Sequence, residues 1–167
     1  VIGPEPWLDA AAEALRVYLP AELSAIDPEL KAPLDEGGAI GQPMTDYYAG
    51  VVRKVLRYPI IEVAVPDDSL TNFSLARLTG DYELNMIVMA TIRDADLGVG
   101  RLYRMQIAYR RAMLGVLLDP EKFLAGGAIT AVRTAYRQSP EDREDAEMFV
   151  GAIAVGLTIE TTDSREL

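Results

Sequence analysis

The stretch Tyr82-Glu83-Leu84-Asn85-Met86-Ile87-Val88-Met89-Ala90-Thr91-Ile92-Arg93 decides the fold. Tyr82, Leu84, Met86, Val88, Ala90 and Ile92 alternate with Glu83, Asn85, Thr91 and Arg93, and a period of two marks a strand with one better-covered face. Such a strand needs neighbours beside it and an apolar layer above it. Upstream, Ile60-Ile61-Glu62-Val63-Ala64-Val65 reads as a second strand, ended by Pro66. Downstream, residues 97–118 read as a helix. Leu102, Met105, Tyr109, Ala112, Met113, Val116 and Leu117 share one arc of it, Arg101, Arg104 and Arg111 lie opposite, and Asp119-Pro120 ends it. Ala128–Arg137 and Met148–Glu160 read as two more strands, with a turn at Ser139-Pro140-Glu141-Asp142 between them.

Towards the N-terminus, residues 5–19 have helical spacing, with Pro6 at the first helical position and Trp7, Leu8, Ala11, Ala12, Leu15, Tyr18 and Leu19 on one arc. Pro20 interrupts this helix, and a shorter piece over residues 21–27 follows. Lys31–Asp46 carries Gly37-Gly38 and Gly41-Gln42-Pro43 and no periodicity, so it reads as a long loop. Asp46–Leu56 reads as a second helix capped by Thr45, with Tyr47, Tyr48, Val51, Val52 and Val55 in one stripe. The expected order is helix, helix, strand, strand, helix, strand, strand. That order describes an α+β domain over residues 1–167: a four-stranded antiparallel sheet packed by helices on one face, with an extended hairpin.

Composition narrows the chemistry. Of 167 residues, half are apolar and a quarter charged, which suffices for one continuous core without a staple. Cys and His are both absent, which removes thiol redox chemistry, Cys–His and Ser–His–Asp catalysis, and the usual zinc and haem ligands. The net charge of −10 opposes casual binding to phosphate backbones or anionic lipid. The apolar runs Ile87–Ile92 and Met148–Ile159 are shorter than the roughly 18 to 20 residues of a membrane-spanning helix, so a soluble protein without a membrane partner is expected. No basic-then-apolar signal pattern opens the chain at Val1, and the missing Cys fits a reducing compartment.

Few side chains remain as candidates for catalysis. Asp94-Ala95-Asp96 with Gly98 has the spacing to share a divalent cation and would serve a metal-dependent enzyme. However, Met105 stands where a calcium loop places its Glu, and Asp96 sits where a helix cap belongs, so capping is the simpler account. Asp67-Asp68 has the makings of a general acid and base, but Pro-Asp-Asp-Ser is also an ordinary strand-ending turn. The glycine-rich pieces Gly98-Val99-Gly100-Arg101 and Gly37-Gly38-Ala39-Ile40-Gly41 lack the Lys-Ser/Thr ending of a phosphate loop. Met86, Met89, Met105 and Met113 read as gap-filling core, and Trp7 as a packing anchor. No cofactor, metal or catalytic residue is expected.

Charge distribution points elsewhere. Residues 1–47 hold 9 acids and 2 bases, residues 94–139 hold 4 and 7, and residues 140–167 hold 8 and 2. Arg101, Arg104, Arg110 and Arg111 concentrate positive charge on one helix. Either this is a solvated face, or oppositely signed patches of neighbouring copies meet head to tail, a contact that generates rings. Pro66–Gly80 is too long for an idle loop and holds Leu70, Phe73, Leu75 and Leu78, which suit an extended hairpin that docks on another chain. The expected subunit or partner interface therefore comprises Arg101, Arg104, Arg111, Asp67, Asp68, Phe73, Leu75 and Arg77.

In overall organisation the chain resembles the tail terminator proteins of long-tailed bacteriophages and related gene transfer particles. The resemblance rests on the N-terminal amphipathic helix Pro6–Leu19, the strand and long hairpin Ile60–Arg93, the helix Leu97–Leu118, and paired closing strands ending Phe149-Val150-Gly151-Ala152-Ile153-Ala154-Val155. The helix Asp46–Leu56 is an addition to that pattern. The resemblance implies a non-enzymatic virion protein of the tail and neck, present in the host cytoplasm during assembly. It would form a homo-hexameric ring on the tail tube protein, stop tube growth and face a neck or head-tail adaptor protein. DNA would pass through the lumen without specific binding, repelled by carboxylates. A neck or head-completion adaptor of the same size is the near alternative; a metal-dependent enzyme using Asp94 and Asp96 is the alternative from another class.

Overall fold

The computed structural model describes residues 4–31, 44–50, 57–74, 79–94, 99–143 and 146–164. Its first element, α1 (Glu5–Lys31), runs through both Pro20 and Pro28. The expected break at Pro20 is overturned because the apolar stripe does not stop there. Leu15, Leu19 and Leu23 are buried in one line, with Ile26 and Leu30 packed against the same core. Pro20 itself lies on the exposed side, where the hydrogen bond it forfeits faces water, and the Ser24 hydroxyl donates to its carbonyl at 3.0 Å.

The remaining elements are β1 (Asp46–Ala49), β2 (Ile60–Ser74), β3 (Thr79–Asp94), α2 (Val99–Leu117), β4 (Ala128–Arg143) and β5 (Ala146–Ser164). The strands form one five-stranded sheet in the order β1-β2-β3-β5-β4. It is a mixed sheet, since β1 pairs with β2 in parallel and all other pairs are antiparallel. The class is still α+β, but the expected four-stranded antiparallel sheet and the helix at its second position are both corrected by β1. Tyr47 and Tyr48 are strand formers as well as members of a helical stripe, and their backbone is claimed by β2. The Thr45 amide, expected to lie at a helix cap, donates to Pro59 O at 2.7 Å, and the Gly50 amide donates to Val63 O at 2.7 Å. Residues 51–56 of the expected helix, and residues 32–43 of the expected loop, lie outside the described residues.

Two prolines read as stops lie inside strands. β2 passes Pro66 by a bulge: Ala64 pairs with Ile87 and Asp67 with Asn85, leaving Val65 and Pro66 unpaired where a missing amide costs nothing. The segment Pro66–Gly80 is therefore mostly paired strand, an extended hairpin whose tip, residues 75–78, lies outside the described residues. Likewise Ser139–Asp142 does not turn the chain. Pro140 pairs with Phe149 and Asp142 with Glu147, and Pro140 is tolerated because β4 is an edge strand.

Both helices cover the same face of the sheet. Tyr82, Leu84, Met86, Val88, Ala90 and Ile92 of β3, the predicted apolar row, are all buried, as are Ile153, Val155, Leu157 and Ile159 of β5. Met105, Ala108, Tyr109, Ala112, Met113, Val116 and Leu117 of α2 close over them. Met86, Met105 and Met113 fill this core, as expected, whereas Met89, expected there too, falls on the other side of β3 by the alternation and is only partly buried. Trp7 anchors α1: its ring lies 5.6 Å from that of Tyr82, and its Nε1–H donates to Ala125 O at 2.6 Å. Just beyond, Gly127 starts the approach of β4 to β5, and a Cβ there would lie 2.4 Å from Glu160 O. Among the described residues no helix is long and apolar enough to cross a membrane.

Candidate functional site: the uncovered sheet face

The face turned away from the helices is built by the alternate residues of the same strands. In β5 these are Ala152, Ala154, Gly156 and Thr158, none fully buried, set against the large buried residues between them. Cross-strand register joins them into rows: Met89, Ala154 and Ala135; Ile87, Gly156 and Arg133; Asn85, Thr158 and Ala131. Thr158 Oγ1 donates to Asn85 Oδ1 at 2.8 Å, which spans two strands within this face. An antiparallel sheet with one wet face normally dresses it with long polar side chains. Here Ala, Gly and Thr leave a shallow groove of about 820 Å³, floored by Gly156 and walled by Ile87, Arg133, Glu83 and Asp67. Ile87 is 38% exposed in it. Towards β1 the same face is closed, since Ile60 and Glu62 are buried at 1% and 8% exposure. Beside them the Tyr48 hydroxyl is raised in pKa by its bond to Asp46, then by burial and by the Asp46 and Glu62 charges.

The expected interface residues are dispersed by the fold. Asp67 pairs with Asn85 and Asp68 with Leu84, so consecutive carboxylates point to opposite faces and form no acid–base pair. Asp67 lies at the groove rim, whereas Asp68 accepts from the Tyr82 hydroxyl at 2.5 Å on the helix side. The arginine row of α2 is partly spent within the chain. Arg104 Nη1 donates to Leu30 O at 3.0 Å, at the C-terminal end of α1, where a cation complements the free carbonyls. Arg111 pairs with Glu29 at 2.9 Å; their side-chain hydrogen bond holds the Glu29 carboxyl below its usual range and raises the guanidinium further. Arg110 lies over the Tyr136 ring at 5.1 Å. These arginines tie α2 to α1 and to β4. The side chains of Arg101 and Phe73, and all of Leu75 and Arg77, lie outside the description.

Lys122 bridges Glu22 and Asp119, each at 2.9 Å, which raises the ammonium pKa and lowers that of Asp119. This cluster clasps the end of α2 to α1. Ala95–Gly98 and the side chain of Asp94 lie outside the described residues, so the expected cap or cation site at Asp94 and Asp96 is not among the features described. Among the described residues no three His, Cys, Asp or Glu side chains converge to hold a metal ion.

Sequence reasoning missed the groove and Arg133. Its signal was the other half of the alternation in β5, where every residue between the apolar ones from Gly151 to Ile159 is Ala, Gly or Thr. No protein-family model matches the chain, and no curated protein matches its sequence.

Proposed function

We propose that this chain is a structural subunit of the tail-terminator kind. Copies of it assemble as a ring on the end of a tail tube in a virion, stop its growth and present a surface to the neck. The observation that carries this reading is the uncovered sheet face. A floor of Ala, Gly and Thr with the exposed Ile87, set inside a rim of Asp67, Glu83 and Arg133, is well suited to burial by another chain. Beside it, β4 offers a 16-residue edge with a neighbour on one side only. The arginines of α2 contribute by stiffening the subunit, a change from the head-to-tail patch read in the sequence. The net charge of −10 suits a conduit through which DNA moves without adhering.

Native mass tests the proposal. Six copies of 18.2 kDa give a ring of about 109 kDa, seen as annuli by negative-stain microscopy. A monomer at every concentration, with no annular particles, would overturn it.

A further inference from the structure

The uncovered face carries charges that have no partner among the described residues. Arg133 stands on β4 in the row of Gly156 and Ile87, while Glu83 and Glu160 are direct cross-strand partners nearer the β2–β3 hairpin. All three are exposed, and none takes part in an ion pair or hydrogen bond among the described residues. Like charges directly opposite on a sheet repel. The row of Arg133 and that of the two glutamates are four residues apart along the strand, roughly 14 Å at about 3.4 Å per residue, too far for them to meet within one copy. The face is therefore polarised: acid at one end, base at the other, and between them a row of Asn85, Thr158 and Ala131 with Asp67 at its rim.

We infer that a second copy of this chain packs on this face, sheet on sheet, about a two-fold axis running across the strands. That rotation reverses strand direction, so the Arg133 end of each face covers the Glu83 and Glu160 end of the other, and the contact of one arginine with two glutamates occurs twice in the pair. Aligned sheets pack about 10 Å apart with interdigitating side chains, and the open space over Gly156, in the row of Arg133, receives the glutamate row of the opposing copy. Four strands at about 4.8 Å spacing, each contributing eight or nine residues at about 3.4 Å, present about 550 Å² per copy. The pair then buries about 1,100 Å², above the roughly 1,000 Å² that a specific interface requires. The outer face of α1 is the less suitable partner, because its Glu13 already holds Arg16 at 2.6 Å. The inference rests on the reading of the chain as a self-assembling subunit and adds that the free chain associates in pairs.

Light scattering across a concentration series tests this with Arg133→Glu, Glu160→Arg, the double variant and Gly156→Leu. The wild type is expected as a pair of about 36 kDa or an even multiple. Each charge variant should weaken pairing by about tenfold or more, and the double variant should regain most of it. Gly156→Leu should block the approach without unfolding the chain, because an added Cβ meets nothing nearer than 3.9 Å. An annular species that keeps its mass in Arg133→Glu and Gly156→Leu overturns the pairing and leaves the ring. A charge-sensitive pair that never forms annuli supports the pairing and removes the ring. A wild type that stays monomeric overturns both. Rescue of Arg133→Glu by Glu13→Arg in place of Glu160→Arg overturns the two-fold geometry in favour of a helix-on-sheet contact.

Discussion

Two glycines in the β4–β5 region should respond to the same substitution with opposite signs. At Gly127 an alanine Cβ would stand 2.4 Å from Glu160 O and 2.9 Å from Thr161 Cβ. The first of these is a backbone atom, fixed by the Ala128–Glu160 pairing, so relief requires opening the start of the β4–β5 ladder. Overpacking of this kind costs about 1–3 kcal/mol, and a clash against backbone belongs at the upper end. At Gly156 the nearest atoms to an added Cβ lie at 3.9 and 4.0 Å, ordinary contact distances. There Ala should be neutral or should stabilise by about 0.5–1 kcal/mol, because glycine in a strand loses more backbone entropy on folding. The assay is urea unfolding followed by far-ultraviolet circular dichroism, run at two protein concentrations so that any change in self-association shows as a concentration dependence. With a slope of about 2 kcal/mol/M, Gly127→Ala should lower the midpoint by about 1.5 M and Gly156→Ala should hold or raise it. Equal midpoint shifts for the two variants would refute the view that a close backbone approach at Gly127 sets where β4 joins the sheet.

Trp7→Phe keeps the ring beside Tyr82 but leaves Ala125 O, on a residue only 8% exposed, without its donor; a loss of about 1–3 kcal/mol in chemical denaturation is expected, and an unchanged midpoint would remove the anchoring role. Tyr82→Phe deletes the bond to Asp68 and should cost about 1 kcal/mol by the same measurement, whereas Asp67→Asn, on the other face, should cost nothing measurable. Lys122→Met acts through pH. The side-chain bond to Lys122, followed by the Glu121 amide, holds Asp119 below its ordinary value of 3.8, so its stabilisation is present above that value and lost as pH falls through the lower folded one. Without Lys122 the decline of stability between about pH 5 and about pH 2 should be shallower than in the wild type, and parallel curves would refute the coupling.

How far the fold was legible depended on whether one period was on offer or two. Tyr82–Ile92 alternates cleanly, and Met105–Leu117 keeps a helical arc, so both elements were readable from residue spacing. Tyr47 and Tyr48 fit either period, and what made them a strand was the parallel partner Ile61 and Glu62, a tertiary fact. Prolines misled in one consistent way. Pro20, Pro66 and Pro140 were read as stops, yet each occupies a place where a missing amide is harmless: a solvent-facing helix side, a bulge and an edge strand. The arginines of α2 were legible as a positive face but not as engaged, because Leu30 and Glu29 come from the far side of the sequence. The groove was the least legible feature, since small residues in a strand announce what is absent from a surface and not what would cover it.

The order of strands also dictates how the molecule must be put together. β2 and β3 close on each other through a short connection, as do β4 and β5, so each hairpin forms from near neighbours. The seam between them, from Thr79 with Ser164 to Asp94 with Phe149, joins the two hairpins through the middle of the sheet and spans α2 and β4 in the sequence. Contacts that distant cost chain entropy before they return anything, so this seam should form after the two hairpins. During synthesis β3 emerges long before β5, and its free edge stays without a partner until β5 is complete. Shortening the chain within β5 would therefore expose the centre of the sheet and leave its two halves unjoined.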